Sequence, residues 1–462
     1  MRWIHRTLLR YHRDNIPITS LDLQFGIHAA FRSAYKLIMQ AASKSSLNEL
    51  HLRNLTASFT LPDEIFSSEN LHTLSLKLIF LGYWKSYSLN LYVSSNPAIH
   101  CTNLRVLELV YVHISQEVLN KLLSTCKLLQ KIDIKLSWQL KSVKVNNLRY
   151  LHELRINLND CYYTLEVDNV PSLRLLVYHA SWMMWRKPTL FKMGTIGSLR
   201  ELYLDNVSMD DAFSSMIKSS FPFLESLTLI IKWCSVEILN IRCPTLRSLN
   251  LCFRQDKPQQ EQQQIKLQVY APNLLRYSHA SMAMPTLLFL TIPPKQIELS
   301  LRLYNPIDEL FFIKMREALE LSSKFNINIL AYGDGVLVPA FNIDDMRTIL
   351  PFPATIFEEL VFFITDINSV LWENSLLFDA FFSICHPIYV KANTELTLTV
   401  ANYFLSLIGK VYCEIRNPLN GSWVALTSSS LSLHTTTPRG CIFKFDFSEF
   451  EFSEFKLSWC SP

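Results

Sequence analysis

A six-residue phrase, L-x-x-L-x-L with other aliphatics admitted, recurs down the first two-thirds of the chain and limits what it can fold into. It reads ITSLDL from Ile18, LNELHL from Leu47, LHTLSL from Leu71, LRVLEL from Leu104 and LQKIDI from Leu129. It continues as LHELRI from Leu151, LRLLVY from Leu173, LRELYL from Leu199, LESLTL from Leu224 and LRSLNL from Leu246, with a weak copy, LLRYSH, from Leu274. Successive starts lie 22 to 33 residues apart. Self-similarity at that spacing means one small unit used repeatedly, because a single unit cannot bury its own apolar edge.

A second regularity runs in the same phase. Pro171, Pro222, Pro244 and Pro272 each stand two positions before a first leucine, and Cys101, Cys126 and Cys243 each stand three before one. Proline fixes φ and lacks an N–H, so it suits the turn that enters a strand and not the strand itself. Within each phrase the fourth and sixth residues point one way from a short strand, and the residues between them point the other way. Stacked units then form a parallel inner sheet with helices and irregular segments outside. The expected fold is an α/β leucine-rich-repeat solenoid. SQEVLNKLLSTCK (115–127) and DDAFSSMIKSSF (210–221) carry apolar residues at helical spacing and supply two of the outer helices.

The expected organisation is a linker or capping helix over 1–17, the repeat array over 18–290, a divergent continuation over 291–393 and a β-rich cap over 394–462. In the continuation, IELSLRL (297–303), INILAY (327–332) and FEELVFF (357–363) read as strands, and FFIKMREALELSSK (311–324) and SLLFDAFFSICH (375–386) as helices. CIFKFDF (441–447) and EFKLSW (454–459) give the last part its β character, and a cap there would cover the open end of the core. The glutamine-rich run from Gln255 to Gln264 reads as a loop insertion. In the first segment Arg2, Arg6, Arg10 and Arg13 alternate with Trp3, Ile4, Leu8 and Tyr11. That pattern fits an amphipathic helix capping the first repeat, or a basic face for an acidic partner or nucleic acid.

Apolar residues make up 49% of the 462, enough for a long core, while the net charge of +4 is too small and dispersed to predict nucleic-acid binding. No apolar run suggests a membrane span or a secretory leader, and the ten cysteines show no CxxC pair and read as reduced thiols. The expected location is cytoplasmic, nuclear or both. Nine glycines and no GxGxxG or GxxxxGK[ST] argue against phosphate cradles, and no HExxH, GxSxG or metal-spaced Cys/His cluster occurs. No catalytic residue, cofactor or metal is expected. Cys385 and His386 adjoin, but no third group is evident to orient them.

A partner is expected on the inner face, at the third, fifth and seventh positions of each unit. Those positions give Lys131, Asp133 and Lys135, then Glu153 and Arg155, then Leu175 and Val177, then Glu201, Tyr203 and Asp205, and finally Ile230. If the strands at Leu129 and Leu151 neighbour in phase, Lys131 faces Glu153 and Asp133 faces Arg155. Those charges either pair with one another or contact a partner. Leu175 and Val177 make an apolar spot beside Tyr203. The following SWMMWRKP brings Trp182 and Trp185 as a local plug, an exposed aromatic contact or ordinary core.

The chain resembles the plant F-box/leucine-rich-repeat proteins, including those with an FBD-type C-terminal region. RTLLRYHRDNIPITSLDLQF, the units VPSLRLLVY and CPTLRSLNL, LLFDAFFSICHP and the ending FKLSWC carry that resemblance. It implies the substrate-recognition part of an SCF-type ubiquitin ligase subunit, with a protein substrate held on the repeats. In that family a segment like RTLLRYHRDN follows an F-box, and here it begins at residue 2. A Skp-type adaptor is therefore expected as a partner only if the F-box is restored. The alternative is a free-standing leucine-rich-repeat binding protein, or a competitor for substrate, with no ligase contact.

Overall fold

The computed structural model describes residues 10, 13–14, 18–24, 47–53, 59–61, 63–77, 91–93, 97–136, 140–158, 164–180, 189–254, 266–303, 307–331, 355–363, 375–393, 411–416, 423–425 and 452–459. They fall into two compact units, Met1–Ser235 and Val236–Pro462.

The first unit is built on a parallel main sheet. Its strands, in spatial order, are β1 (Ser20–Gln24), β2 (Glu49–Arg53), β4 (Thr73–Lys77), β6 (Val106–Val110), β8 (Lys131–Leu136), β10 (Glu153–Leu158), β12 (Leu175–Ala180), β14 (Glu201–Met209) and β15 (Ser226–Cys234). Each strand begins at the third residue of its phrase. The fourth and sixth residues face the core, and Leu50, Leu52, Leu74, Leu76, Leu107, Leu109, Ile132 and Ile134 are all fully buried. The first leucines, such as Leu71, Leu104, Leu129 and Leu173, are buried with them.

A backbone turn precedes each strand of this sheet from β4 to β15. The N–H of the first leucine donates to the carbonyl three residues back: Leu104 to Cys101, Leu129 to Cys126, Leu173 to Val170, Leu224 to Phe221 and Leu246 to Cys243. Pro171, Pro222 and Pro244 therefore occupy the second residue of a β-turn, where φ near −65° is required and no N–H is used. The residue at the turn's start is buried and apolar at Cys101, Cys126, Leu148, Val170, Ile196, Phe221 and Cys243, whereas Ser68, which starts the turn entering β4, is half-buried. One further joint links neighbours. The carbonyl of the phrase's second residue accepts two N–H groups from the next repeat, as His72 does from Arg105 and Val106, Arg105 from Gln130 and Lys131, and Gln130 from His152 and Glu153.

The outer layer differs from the expected helices and irregular segments. It carries two short parallel sheets, one of β3 (Phe59–Leu61), β5 (Leu91–Val93) and β7 (Val112–His113), the other of β9 (Ser142–Asn146), β11 (Thr164–Asp168) and β13 (Leu190–Met193). SVKVN and TLEVD alternate strictly, with Val143, Val145, Leu165 and Val167 buried, so a period of two rather than 3.6 governs them. At the ends of β9 and β11, Asn147 and Asn169 take φ of 60° and 49° and their side chains bond to each other. Asparagine tolerates this left-handed backbone better than most residues.

The two expected helices are present as α1 (Gln116–Thr125) and α2 (Asp211–Ser220). The Ser115 hydroxyl accepts from the N–H of Val118, and the Asp210 carboxylate from that of Phe213, so both first turns are capped. Val118, Leu119, Leu122 and Leu123 line the buried side of α1, and Phe213 and Ile217 that of α2.

In the second unit the main sheet runs β17 (Ser248–Phe253), β19 (Arg276–Ser281), β21 (Gln296–Leu303), β22 (Lys324–Ala331), β23 (Thr355–Phe363) and β24 (Cys385–Asn393), all parallel. The weak phrase LLRYSH thus keeps its place in β19. Tyr277 and His279 fill the two core positions, with the Tyr277 hydroxyl 2.8 Å from Nδ1 of His279. Burial pushes the Tyr277 pKa well up and that of His279 down to about 3. A short outer sheet of β16 (Ile238–Arg242), β18 (Lys266–Tyr270) and β20 (Thr286–Phe289) lies in this unit.

Helices α3 (Glu309–Leu319) and α4 (Ser375–Ile384) occur where the divergent region predicted them, and the Phe312 and Phe381 rings meet edge to face. Cys385 and His386 begin β24 rather than ending α4; Cys385 is fully buried and its thiol pKa is pushed up. Beyond β24 the sheet turns antiparallel through β27 (Phe452–Trp459), β25 (Val411–Arg416) and β26 (Trp423–Ala425). The N-terminal arginine pattern, the glutamine run and CIFKFDF lie largely outside the described residues, as do Trp182 and Trp185. Among the described residues no helix is long and apolar enough to cross a membrane.

Candidate inner-face recognition surface

Because the strands of the first unit pair without slippage from β1 to β12, their outward residues form rows across the sheet. The third-position row runs Glu49, Thr73, Val106, Lys131, Glu153, Leu175, Glu201 and Ser226. The fifth-position row runs Asp22, His51, Ser75, Glu108, Asp133, Arg155, Val177, Tyr203 and Thr228, and the seventh includes Arg53, Lys77, Lys135, Asn157 and His179. A parallel register of this kind turns sequence position directly into surface position.

Lys131 does stand opposite Glu153, and Asp133 opposite Arg155. The ion pairs formed are different ones. Lys131 Nζ lies 3.3 Å from Glu108, on the other neighbouring strand, and Arg155 bonds Glu153 two residues back on its own strand. The difference follows from Glu108, at the fifth position of LRVLEL. Its carboxylate gathers Lys77 Nζ at 2.8 Å and accepts from the Ser75 hydroxyl at 2.7 Å as well as holding Lys131. Burial works to raise the Glu108 pKa. Hydrogen bonds from Lys77 and Ser75 and the charges of Lys77 and Lys131 outweigh it, holding the carboxyl at about 2. Asp133, next in the row, is pushed up by burial and by the Glu108 charge, against the pull of Lys131, Lys77 and Arg155. Lys135 has a different environment, with its ammonium 5.1 Å from the centre of the Tyr111 ring.

Two strands further on the surface becomes less polar. Leu175 is half-buried, Val177 is 8% exposed, and the His179 and Tyr203 rings lie 4.3 Å apart. Glu201 is exposed at the edge of this spot. Asp205 and Ile230, however, do not belong to the face. The register between β14 and β15 shifts after Leu204, so that Asp205 and Asn206 together stand against one residue of β15. Asn206 takes φ of 61°, and the Asp205 carboxylate turns in to accept from the Asn206 N–H at 2.7 Å. Asp205 is 5% exposed and Ile230, opposite this bulge, is 7% exposed. A bulge of two residues against one flips the alternation that the sequence reading assumed.

The outer layer of this unit has its own concavity, a cavity of about 520 Å³ between β13 and α2. Phe191, Phe213 and Met216 give it an apolar lining, and Glu166, Asp168, Lys192 and Asp210 also line it. Gly194 borders it because the chain passes so near Asp168 that a Cβ there would lie 2.3 Å from a carboxylate oxygen.

Residues 36–194 match the family described as FBD-associated F-box protein At5g56370, LRR repeats. The match covers about a third of the chain and takes in β2 through β13, and with them the inner-face rows from Glu49 to Val177. No curated protein matches the chain. The stretch is therefore similar to the leucine-rich repeats of FBD-associated F-box proteins, a likeness that agrees with the parallel sheet and suggests a scaffold for protein interaction.

Proposed function

We propose that the first unit is the recognition surface of a protein-interaction scaffold, resembling the substrate-recognition part of an SCF-type F-box subunit, with a protein partner held across β4 to β14. The observation that supports this reading most is the unbroken register. It sets polar, charged and aromatic side chains in rows on one face while every alternate residue is spent on the core. A surface so fixed is preorganised, which lowers the ordering cost of binding.

The test is site-specific photocrosslinking. A photoreactive amino acid at Arg155 or Glu201 on the inner face should trap a protein partner, and one at Lys218, exposed on α2, should not. Crosslinks confined to Lys218 would sink the reading. The ligase role is a separate question, answered by asking whether this chain, or a form extended upstream, co-purifies with a Skp-type adaptor. Failure by both forms would remove that role and leave a free-standing scaffold.

A further inference from the structure

We propose that the inner face of the first unit recognises an extended protein segment in which an aspartate or glutamate stands three residues from an apolar or aromatic residue. The carboxylate meets Lys135, and the apolar side chain rests against Val177, His179 and Tyr203. This rests on the protein-binding reading above and names the chemistry of the partner.

The cations of the inner face are not equivalent. Arg53 is held by Asp22 at 3.1 Å, Lys77 and Lys131 by Glu108, and Arg155 by Glu153. Lys135 has no ion pair among the described residues and lies over Tyr111 instead. A cation–π contact leaves the outer side of the ammonium able to receive an anion. Arg53, Lys77, Lys131 and Arg155 each already have a carboxylate partner, with Lys77 and Lys131 sharing Glu108, so an incoming carboxylate gains most at Lys135.

The second anchor follows from register. Lys135 pairs with Asn157 and Asn157 with His179, so Lys135 and His179 are two strands apart in one row. Neighbouring strands are about 4.8 Å apart, which puts the two near 10 Å from each other. An extended chain advances about 3.3 Å per residue, so a segment crossing the strands covers that distance in three residues. At the His179 end, Val177 in the adjacent row and the Tyr203 ring make the apolar rest. A neutral aromatic or aliphatic side chain fits there.

The surrounding charge decides between a carboxylate and a phosphate. Glu108 and Glu153 are engaged with Lys77, Lys131 and Arg155, and Asp133 stands two positions before Lys135 on the same strand, so a dianion would set two charges against one uncommitted cation with a carboxylate beside it. A single negative charge is the better match.

Fluorescence anisotropy with four labelled peptides in a Gly/Ser background tests the proposal on the full chain. One carries Glu and Phe three residues apart, a second has the two adjacent, a third has Lys in place of Glu, and a fourth has phosphoserine in place of Glu. The first should bind tightest. Lys135→Met, which keeps the aliphatic stem over Tyr111, should weaken it about 5- to 10-fold at low salt, and raising the salt to about 0.5 M should shrink that difference. Tyr203→Ala should weaken it about 10-fold. Equal binding of the Lys peptide, tighter binding of the phosphoserine peptide, or no effect of Lys135→Met overturns the proposal. So does absence of peptide binding. If Arg155 or Glu201 still crosslinks a protein partner in that case, the scaffold reading stands and only the assigned motif fails.

Discussion

Glu108 is half-buried and His279 buried, and pH acts on the two ionisable side chains in different windows. The carboxyl of Glu108 is held near 2 against an ordinary 4.5, so its contribution is present above about 4.5 and is lost as pH falls through 2. His279 is held near 3 against 6.5, staying neutral in the fold while the unfolded chain takes a proton below 6.5. Its effect is therefore a loss of stability as pH falls from 6.5 towards 3. Between pH 6.5 and about 5 the His279 contribution costs up to about 2 kcal/mol, and His113 and His386, whose pKa values burial also lowers, act in the same direction. The double variant Tyr277→Phe/His279→Phe removes both partners of the buried bond together, and its melting temperature should fall less than the parent's between pH 7 and 5. Glu108→Gln should lower stability by about 1–2 kcal/mol in urea melts at pH 7, since Lys77 and Lys131 lose their shared anion. Most side-chain placements were legible from the phrase alone, because a period of two admits only two faces. Asp205 and Ile230 were not. The reading extends the alternation to Asp205, and nothing in LYLDNVSM marks where an extra residue enters the strand.

Helix starts and strand-entry turns are the elements most openly written in this chain. Ser115, Asp210 and Asp308 each accept from the backbone N–H three residues on, opening α1, α2 and α3. Asp210→Ala should cost about 1 kcal/mol in thermal or urea unfolding and Asp210→Ser close to nothing, because the hydroxyl can replace the carboxylate as acceptor. The proline phase was legible for an equally local reason, since the second residue of a β-turn is one of few places where proline costs no hydrogen bond. The short outer sheets were harder to read. SVKVN, TLEVD, ILNIR and KLQVY all alternate, but at five residues apiece they are too short to stand out beside the dominant leucine phrase. Their pairing depends on repeats 22 or more residues away being in phase, which is a property of the stack and not of the segment.

At the scale of the whole chain, each unit is held by side chains that touch mainly their own repeat and its neighbours, so damage should spread from the site of a substitution. Leu154, fully buried in β10 at the middle of the first unit's sheet, is the sharpest probe. Leu154→Ala should destabilise by about 2–4 kcal/mol in urea denaturation. Its extra hydrogen exchange should centre on β8, β10 and β12 rather than on the strands of the second unit. The repeat architecture was legible from the sequence because it rests on periodicity, whereas the partner's identity was not, because it rests on side chains that the core does not constrain. The joints between repeats explain how these two can vary apart. At each joint a carbonyl in the second phrase position takes two N–H groups from the next repeat, and none of these atoms belongs to an outward side chain. Descendants of such a chain are thus free to rewrite Lys135, Arg155 or Tyr203 one at a time, acquiring new targets through single substitutions while the scaffold that displays them is inherited unchanged.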